Sequence, residues 1–99
     1  MPSCNAGQTI RERAARSEQI VLVPHAMVRM RERSIDFLDV QRCLRHGKAI
    51  RGPYVPSDSI TDEPRYDVEA IVDGDWLRVV VELPDERSDI VVVTVIVLQ

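Results

Sequence analysis

Residues 65–83 read RYDVEAIVDGDWLRVVVEL, and their pattern decides the fold. Tyr66, Val68, Ala70 and Val72 alternate with polar Asp67 and Glu69, the period of two expected of a half-buried strand. Asp73-Gly74-Asp75 then carries the residue types that turn a tight hairpin. From Trp76 the alternation resumes, with Leu77, Val79, Val81 and Leu83 on one face and Arg78 and Glu82 on the other. The segment is a hairpin with one apolar face.

Downstream, residues 84–89 turn the chain and residues 90–98 (IVVVTVIVL) are apolar on both faces. Such a run reads as a strand that is covered on each side or placed centrally. It is about half the length that spans a bilayer, and Thr94 interrupts it, so no membrane helix is expected. Upstream, residues 48–64 hold Pro53, Pro56 and Pro64 with Ser57, Asp58 and Ser59. They predict a short strand at Ala49-Ile50 followed by a mobile loop over about 51–64.

The first half has a helical period. Asp36 is a suitable N-cap, with Asp39 at the third position of the helix it opens. Phe37, Val40, Cys43 and Leu44 form the apolar stripe, and Arg42, Arg45 and His46 suit the negative end. Gly47 is expected as a left-handed C-cap. Pro24, favoured in a first turn, opens a helix over 24–33. On its wheel Ala26, Met27 and Met30 share one flank, and His25, Arg29 and Arg33 share the next. Residues 20–23 read as a brief strand or an extended entry into the core. Residues 7–19 predict a peripheral helix, with Thr9 as N-cap and Glu12 completing a capping box around Ile10 and Ala14. The whole is α+β, with two to three N-terminal helices packed on an antiparallel sheet of three to four strands. A single domain spans 1–99, its core at about 10–98.

Ninety-nine residues leave too little apolar surface for two separate cores. The composition, 44% hydrophobic and 29% charged, is that of a globular chain and not of a disordered one. Cys4 and Cys43 form no C-x-x-C pair, which argues against a disulfide framework or a thiolate zinc site and suits a reducing cytoplasm. The first residues lack the apolar stretch of a secretory signal. The net charge of −3 hides an asymmetry: residues 1–51 hold ten Lys/Arg against five Asp/Glu, whereas residues 52–99 hold three against eleven. A basic half can face an anion, although a solvated helical surface has the same composition.

His25 is the first candidate for chemistry, because imidazole exchanges protons near neutral pH. With Arg29 and Arg33 on the same flank it could grip a phosphodiester and stabilise charge on phosphorus. Spacing alone favours a capping or packing histidine beside surface arginines. His46 suits pairing with free helix-end carbonyls. Thr94 either satisfies itself within the sheet or points into a site, with Arg78 on the neighbouring strand within reach in a suitable register. No H-x-x-x-H or H-E-x-x-H spacing suggests a metal, and no phosphate loop or dinucleotide motif suggests a cofactor. Tyr66 and Trp76 are too few for a single-strand stacking platform.

Taken together, Pro24-His25-Ala26, Arg29-Met30, Arg33, Ile35, Asp39-Val40, Leu44 and Gly47 resemble the H-A-x-x-R-M-x-x-R-x-I-x-x-x-D-V-x-x-x-L-x-x-G signature of the domain-of-unknown-function 4258 family. Val91-Val92-Val93-Thr94-Val95 is similar to its closing strand. The similarity covers roughly residues 10 to 96, with Ser34 where members usually carry glycine. It implies a fold akin to the RelE/ParE and barnase–colicin ribonuclease toxins, with helices on one face of the sheet. It further implies RNA as substrate, cleavage without metal and an antitoxin protein as partner. The family's polar positions fall on His25, Arg29, Arg33 and Thr94, and Arg78 is the expected substrate-binding addition. The rival expectation is a non-catalytic interaction module, with a homodimer formed if the final strand is exposed. DNA binding lacks both positive charge and a recognition helix.

Overall fold

The computed structural model describes residues 2–56, 63–84 and 88–98. In chain order it contains α1 (Pro2–Ala14), a 3₁₀ turn (Ser17–Gln19), β1 (Ile20–Leu22), α2 (Pro24–Glu32), α3 (Phe37–His46), β2 (Lys48–Tyr54), β3 (Arg65–Val72), β4 (Asp75–Glu82) and β5 (Ile90–Val97). The expected hairpin is β3–β4, closed by Asp73 (φ 52°) and Gly74 (φ 87°). Two left-handed residues in succession match the right-handed twist of the strands they join.

The sheet has five strands in the order β1-β5-β4-β3-β2. That exceeds the three to four expected, and it is mixed: β1 runs parallel to β5, and the other pairings are antiparallel. Both brief segments, around residues 20–23 and 49–50, join the sheet as its two edges, and β2 continues through Gly52 and Pro53 where the sequence suggested a loop. β2 lies at the sheet edge, where a residue without an N–H need not break the ladder, and its register with β3 shifts twice. The expected mobile loop therefore loses residues 51–54 to a strand, and residues 57–62 lie outside the described part.

β5 sits between β1 and β4, which explains its unbroken apolar run. Val81 pairs with Val92 and Val80 with Thr94, so Val93 is an inserted residue. This bulge shifts the alternation by one. Ile90 and Val92 before it, and Val95 after it, are all buried with Val79 and Val81 in the core. β1 flanks β5 over residues 90–92, and no described strand pairs with residues 94–97 on that side.

The helices cover the face that bears Val68, Leu77, Val79, Val81 and Val95. α1 begins at Pro2 and ends at Ala14, so Thr9 is inside it and caps nothing; Glu12 instead accepts a bond from Gln8 Nε2 at 2.9 Å. Ile10 and Ala14 are buried, and the Ala14 carbonyl accepts from Gln41 Nε2 of α3 at 2.8 Å. Arg13 Nη1 reaches the carbonyls of Pro84 (3.2 Å) and Asp89 (2.8 Å), tying α1 to the β4–β5 connection. α2 starts at Pro24 as expected but buries only Ala26 and Met30; Met27, assigned to the apolar flank, is exposed. α3 has the expected Asp36 cap, with Asp39 N donating to Asp36 at 2.9 Å and Asp36 N to Asp39 at 3.2 Å.

Two backbone positions explain residue choices. Gly47 is not left-handed: its φ of −82° and ψ of −177° are extended. Its constraint is space, since a Cβ there would lie 2.5 Å from both the Cys43 and the Glu69 carbonyl oxygens. Glycine is what lets α3 end against β3. Ser34, between α2 and α3, is left-handed at φ 57°, a conformation that disfavours any side chain. Ser34→Gly is expected to raise unfolding stability by about 0.5–1 kcal/mol. Gly47→Ala is expected to lower it by about 1–3 kcal/mol through overpacking. Urea unfolding of the two variants beside the parent checks both signs.

Candidate functional site

β1 delivers α2 to its place. The Val23 N–H donates to the Val92 carbonyl at 3.3 Å, and Pro24 then begins the helix. α2 thus departs next to the stretch of β5 that carries Thr94. His25 is the second helical residue, at the positive end, and Arg29 follows one turn later. Arg33 closes the helix with its N–H on the carbonyls of Arg29 and Arg31. All three side chains are exposed. Arg29 Nη1 lies 3.4 Å from Glu32 Oε1, a solvated pair, while His25 and Arg33 have no ion pair or hydrogen bond from their side chains among the described residues. The flank carries an imidazole and two guanidinium groups exposed to water.

Thr94 and Arg78 belong to the other group. Thr94 pairs with Val80 and Arg78 with Ile96, which sets both on the sheet face away from the buried helix contacts. Thr94 is half-buried. Arg78 is already engaged: its Nε donates to Glu69 Oε2 at 2.7 Å and its Nη2 lies 2.6 Å from the same oxygen. Trp76 Nε1 donates to the other oxygen of Glu69 at 3.0 Å. The structure therefore brings His25, Arg29 and Arg33 together on a helix, and Thr94 with Arg78 on a sheet face. No side-chain bond joins the two groups among the described residues.

That sheet face holds a polar strip the sequence reading passed over. Arg65 Nε donates to Glu82 Oε2 at 2.9 Å across the hairpin. Asp67, only 4% exposed, accepts a hydrogen bond of 2.5 Å from the Tyr54 hydroxyl, and Arg51 stacks over the Tyr54 ring at 4.2 Å from its centroid. A signal for the hairpin pairs was present, because Arg65 and Glu82, and likewise Glu69 and Arg78, stand equidistant from the Asp73-Gly74 turn with opposite charge. Tyr54 and Arg51 gave none, since the prolines around them read as loop.

The environment sets two acidities. Burial, then the hydrogen bond to Asp67 and its charge, push the Tyr54 phenol above its ordinary value. Burial, with Glu69 nearby, pushes the Cys43 thiol up to about 12. Its Sγ contacts the Val68 carbonyl at 3.6 Å, so Cys43 is a packing residue and no nucleophile. Among the described residues no three His, Cys, Asp or Glu side chains come together as a metal site. No described helix is long and apolar enough to cross a membrane.

Comparison with known proteins finds that residues 22–97 match the family model described as Domain of unknown function (DUF4258). No curated protein and no solved structure matches the chain.

The weakened acidity of Tyr54 has a consequence for stability. Folding favours the protonated phenol, so its contribution is complete below pH 10.0 and is lost as pH rises through the higher folded value. Urea unfolding from pH 9 to 11.5 is expected to show a steeper alkaline fall for the parent than for Tyr54→Phe. For Cys43, alkylation in a Cys4→Ser background is expected to require unfolding: native protein stays unlabelled at pH 8, and denatured protein labels fully.

Proposed function

The chain belongs to the DUF4258 family, and on that premise we propose that it is a metal-independent, toxin-like endoribonuclease domain acting on RNA through the exposed flank of α2. The single observation that carries this reading is the placement of His25. It stands in water at the positive end of a helix, first in a line continued by Arg29 and Arg33. A helix N-terminus and two guanidinium groups favour a phosphodiester. The layout also supports a RelE- or barnase-like relation, since the helices bury their apolar residues on one face of the sheet and leave polar residues on the other.

In this reading His25 accepts the proton of a ribose 2′-hydroxyl. The 2′ oxygen forms a bond to phosphorus as the bond from phosphorus to the 5′ oxygen breaks, and the leaving oxygen takes a proton from solvent. The products are a 2′,3′-cyclic phosphate and a free 5′-hydroxyl. Arg29 and Arg33 hold the non-bridging oxygens as charge grows on them. Only RNA carries the internal nucleophile. Thr94 and Arg78 lie on the sheet face away from the helices, so this reading gives them no part in the step at α2. The reading includes a cytoplasmic setting and an antitoxin-type protein partner.

A second reading, a non-catalytic interaction module that forms a homodimer or binds another protein, is favoured by one observation: the exposed Ile71 and Trp76 beside the hairpin turn. Incubation of purified protein with total RNA separates the two. The enzyme is expected to generate cyclic-phosphate ends, and His25→Ala to cut at least about 100-fold more slowly with unchanged circular dichroism. In cells, the parent is expected to arrest growth on induction and His25→Ala not to. If the folded parent leaves RNA intact across salt and pH, the module reading replaces the enzyme.

A further inference from the structure

β2 does not cover the whole outer edge of β3. Their pairing stops at Lys48 with Glu69, so no described strand lies against residues 70–72 on that side. Two hollows flank this free backbone and share Ala70 and Ile71 as lining. One, of about 320 Å³, lies between Lys48, Ile50, Glu69, Ile71 and Trp76. The other, of about 250 Å³, lies against Arg42, His46, Val72 and Asp73. Between them Ile71 is 75% exposed, with Ile50 and Trp76 about half exposed nearby. Unpaired strand backbone beside an uncovered isoleucine and tryptophan is the arrangement that takes an added strand.

The charges decide what kind of strand. Both acids at this edge are occupied, Glu69 by Arg78 and Trp76, and Asp73 by Arg42 at 3.3 Å. Lys48 and His46 have no side-chain partner among the described residues and stand on opposite hollows. The Arg42–Asp73 pair is exposed and therefore weak enough to exchange. Lys48 is left on the rim as an unpaired cation beside an apolar centre, with the exposed His46 imidazole on the other hollow.

We propose that the edge of β3 at residues 70–72 is a docking site for an extended, acidic, amphipathic segment of a partner protein. The segment adds as a short strand in line with β2. Its alternate apolar side chains enter the hollow between Ile50, Ile71 and Trp76, and its carboxylates meet Lys48 on one side and His46 with Arg42 on the other. This site is separate from the α2 flank and does not rest on the ribonuclease reading.

Trp76 is the only tryptophan and serves as the probe. Its emission is followed while the full chain is titrated with a seven-residue peptide alternating glutamate and valine, and with the counterpart that has lysine for glutamate. The acidic peptide is expected to shift the emission saturably and to bind at least about ten-fold more tightly than the basic one. Ile71→Asp and Lys48→Glu, both surface changes, are expected to weaken it to a similar degree, and His25→Ala to leave it unchanged. An unaltered emission, or equal binding of both peptides, overturns the proposal. So does parent self-association in sedimentation that Ile71→Asp abolishes, which assigns the edge to a second copy. A shift produced by single-stranded RNA and relieved by Lys48→Glu assigns it to nucleic acid instead.

Discussion

Val68, Val79 and Val95 stand side by side on three adjacent strands, and none is more than 1% exposed. That row has to be covered, because apolar area facing water costs about 25 cal/mol per Å². The helices follow from it. α3 lies over β3 with Val40, Cys43 and Leu44 buried, α2 presents only Ala26 and Met30, and α1 adds Ile10 and Ala14. A narrow contact suffices for α2, and this is why its remaining surface is free to carry three cationic positions in water. The exposure of His25, Arg29 and Arg33 is a consequence of how little of α2 the sheet needs.

The polar face follows different rules. Its pairs, Arg65 with Glu82 and Arg78 with Glu69, are partly shielded and cross-strand, and each contributes modestly to holding the hairpin in register. Their larger effect is to neutralise. On this face Arg65 is matched by Glu82 and Arg78 by Glu69, whereas His25 and Arg33 on α2 have no side-chain partner among the described residues. The division of labour inside this small chain is electrostatic: one surface has compensated its charges and another has not.

Much of the fold was legible because short-range patterns agreed with the tertiary result. The alternation from Tyr66 to Leu83, the Asp73-Gly74 turn, the Asp36 cap with Asp39 and the start of α2 at Pro24 all arise from local chemistry. Where the reading failed, tertiary context prevailed. Pro53 looked like a loop residue until its edge position made it tolerable, Thr9 looked like a cap although the helix starts seven residues earlier, and Gly47 looked left-handed when its actual constraint is two carbonyl oxygens. Of the candidate site, the α2 flank could be read from spacing. The commitment of Arg78 to Glu69 could be read from their spacing about the Asp73-Gly74 turn, whereas the Tyr54–Asp67 bond depends on the register of β2 with β3, which no single segment encodes.

The inserted Val93 has a further implication for how this closing strand encodes its shape. Every side chain beyond it owes its side of the sheet to that one additional residue. Shortening the chain there by a single position would swing the Thr94 hydroxyl inward among the valines and turn Val95 out toward solvent. The information in the segment is therefore metric more than chemical. How many residues separate Val92 from Thr94 matters more than which aliphatic residue stands between them.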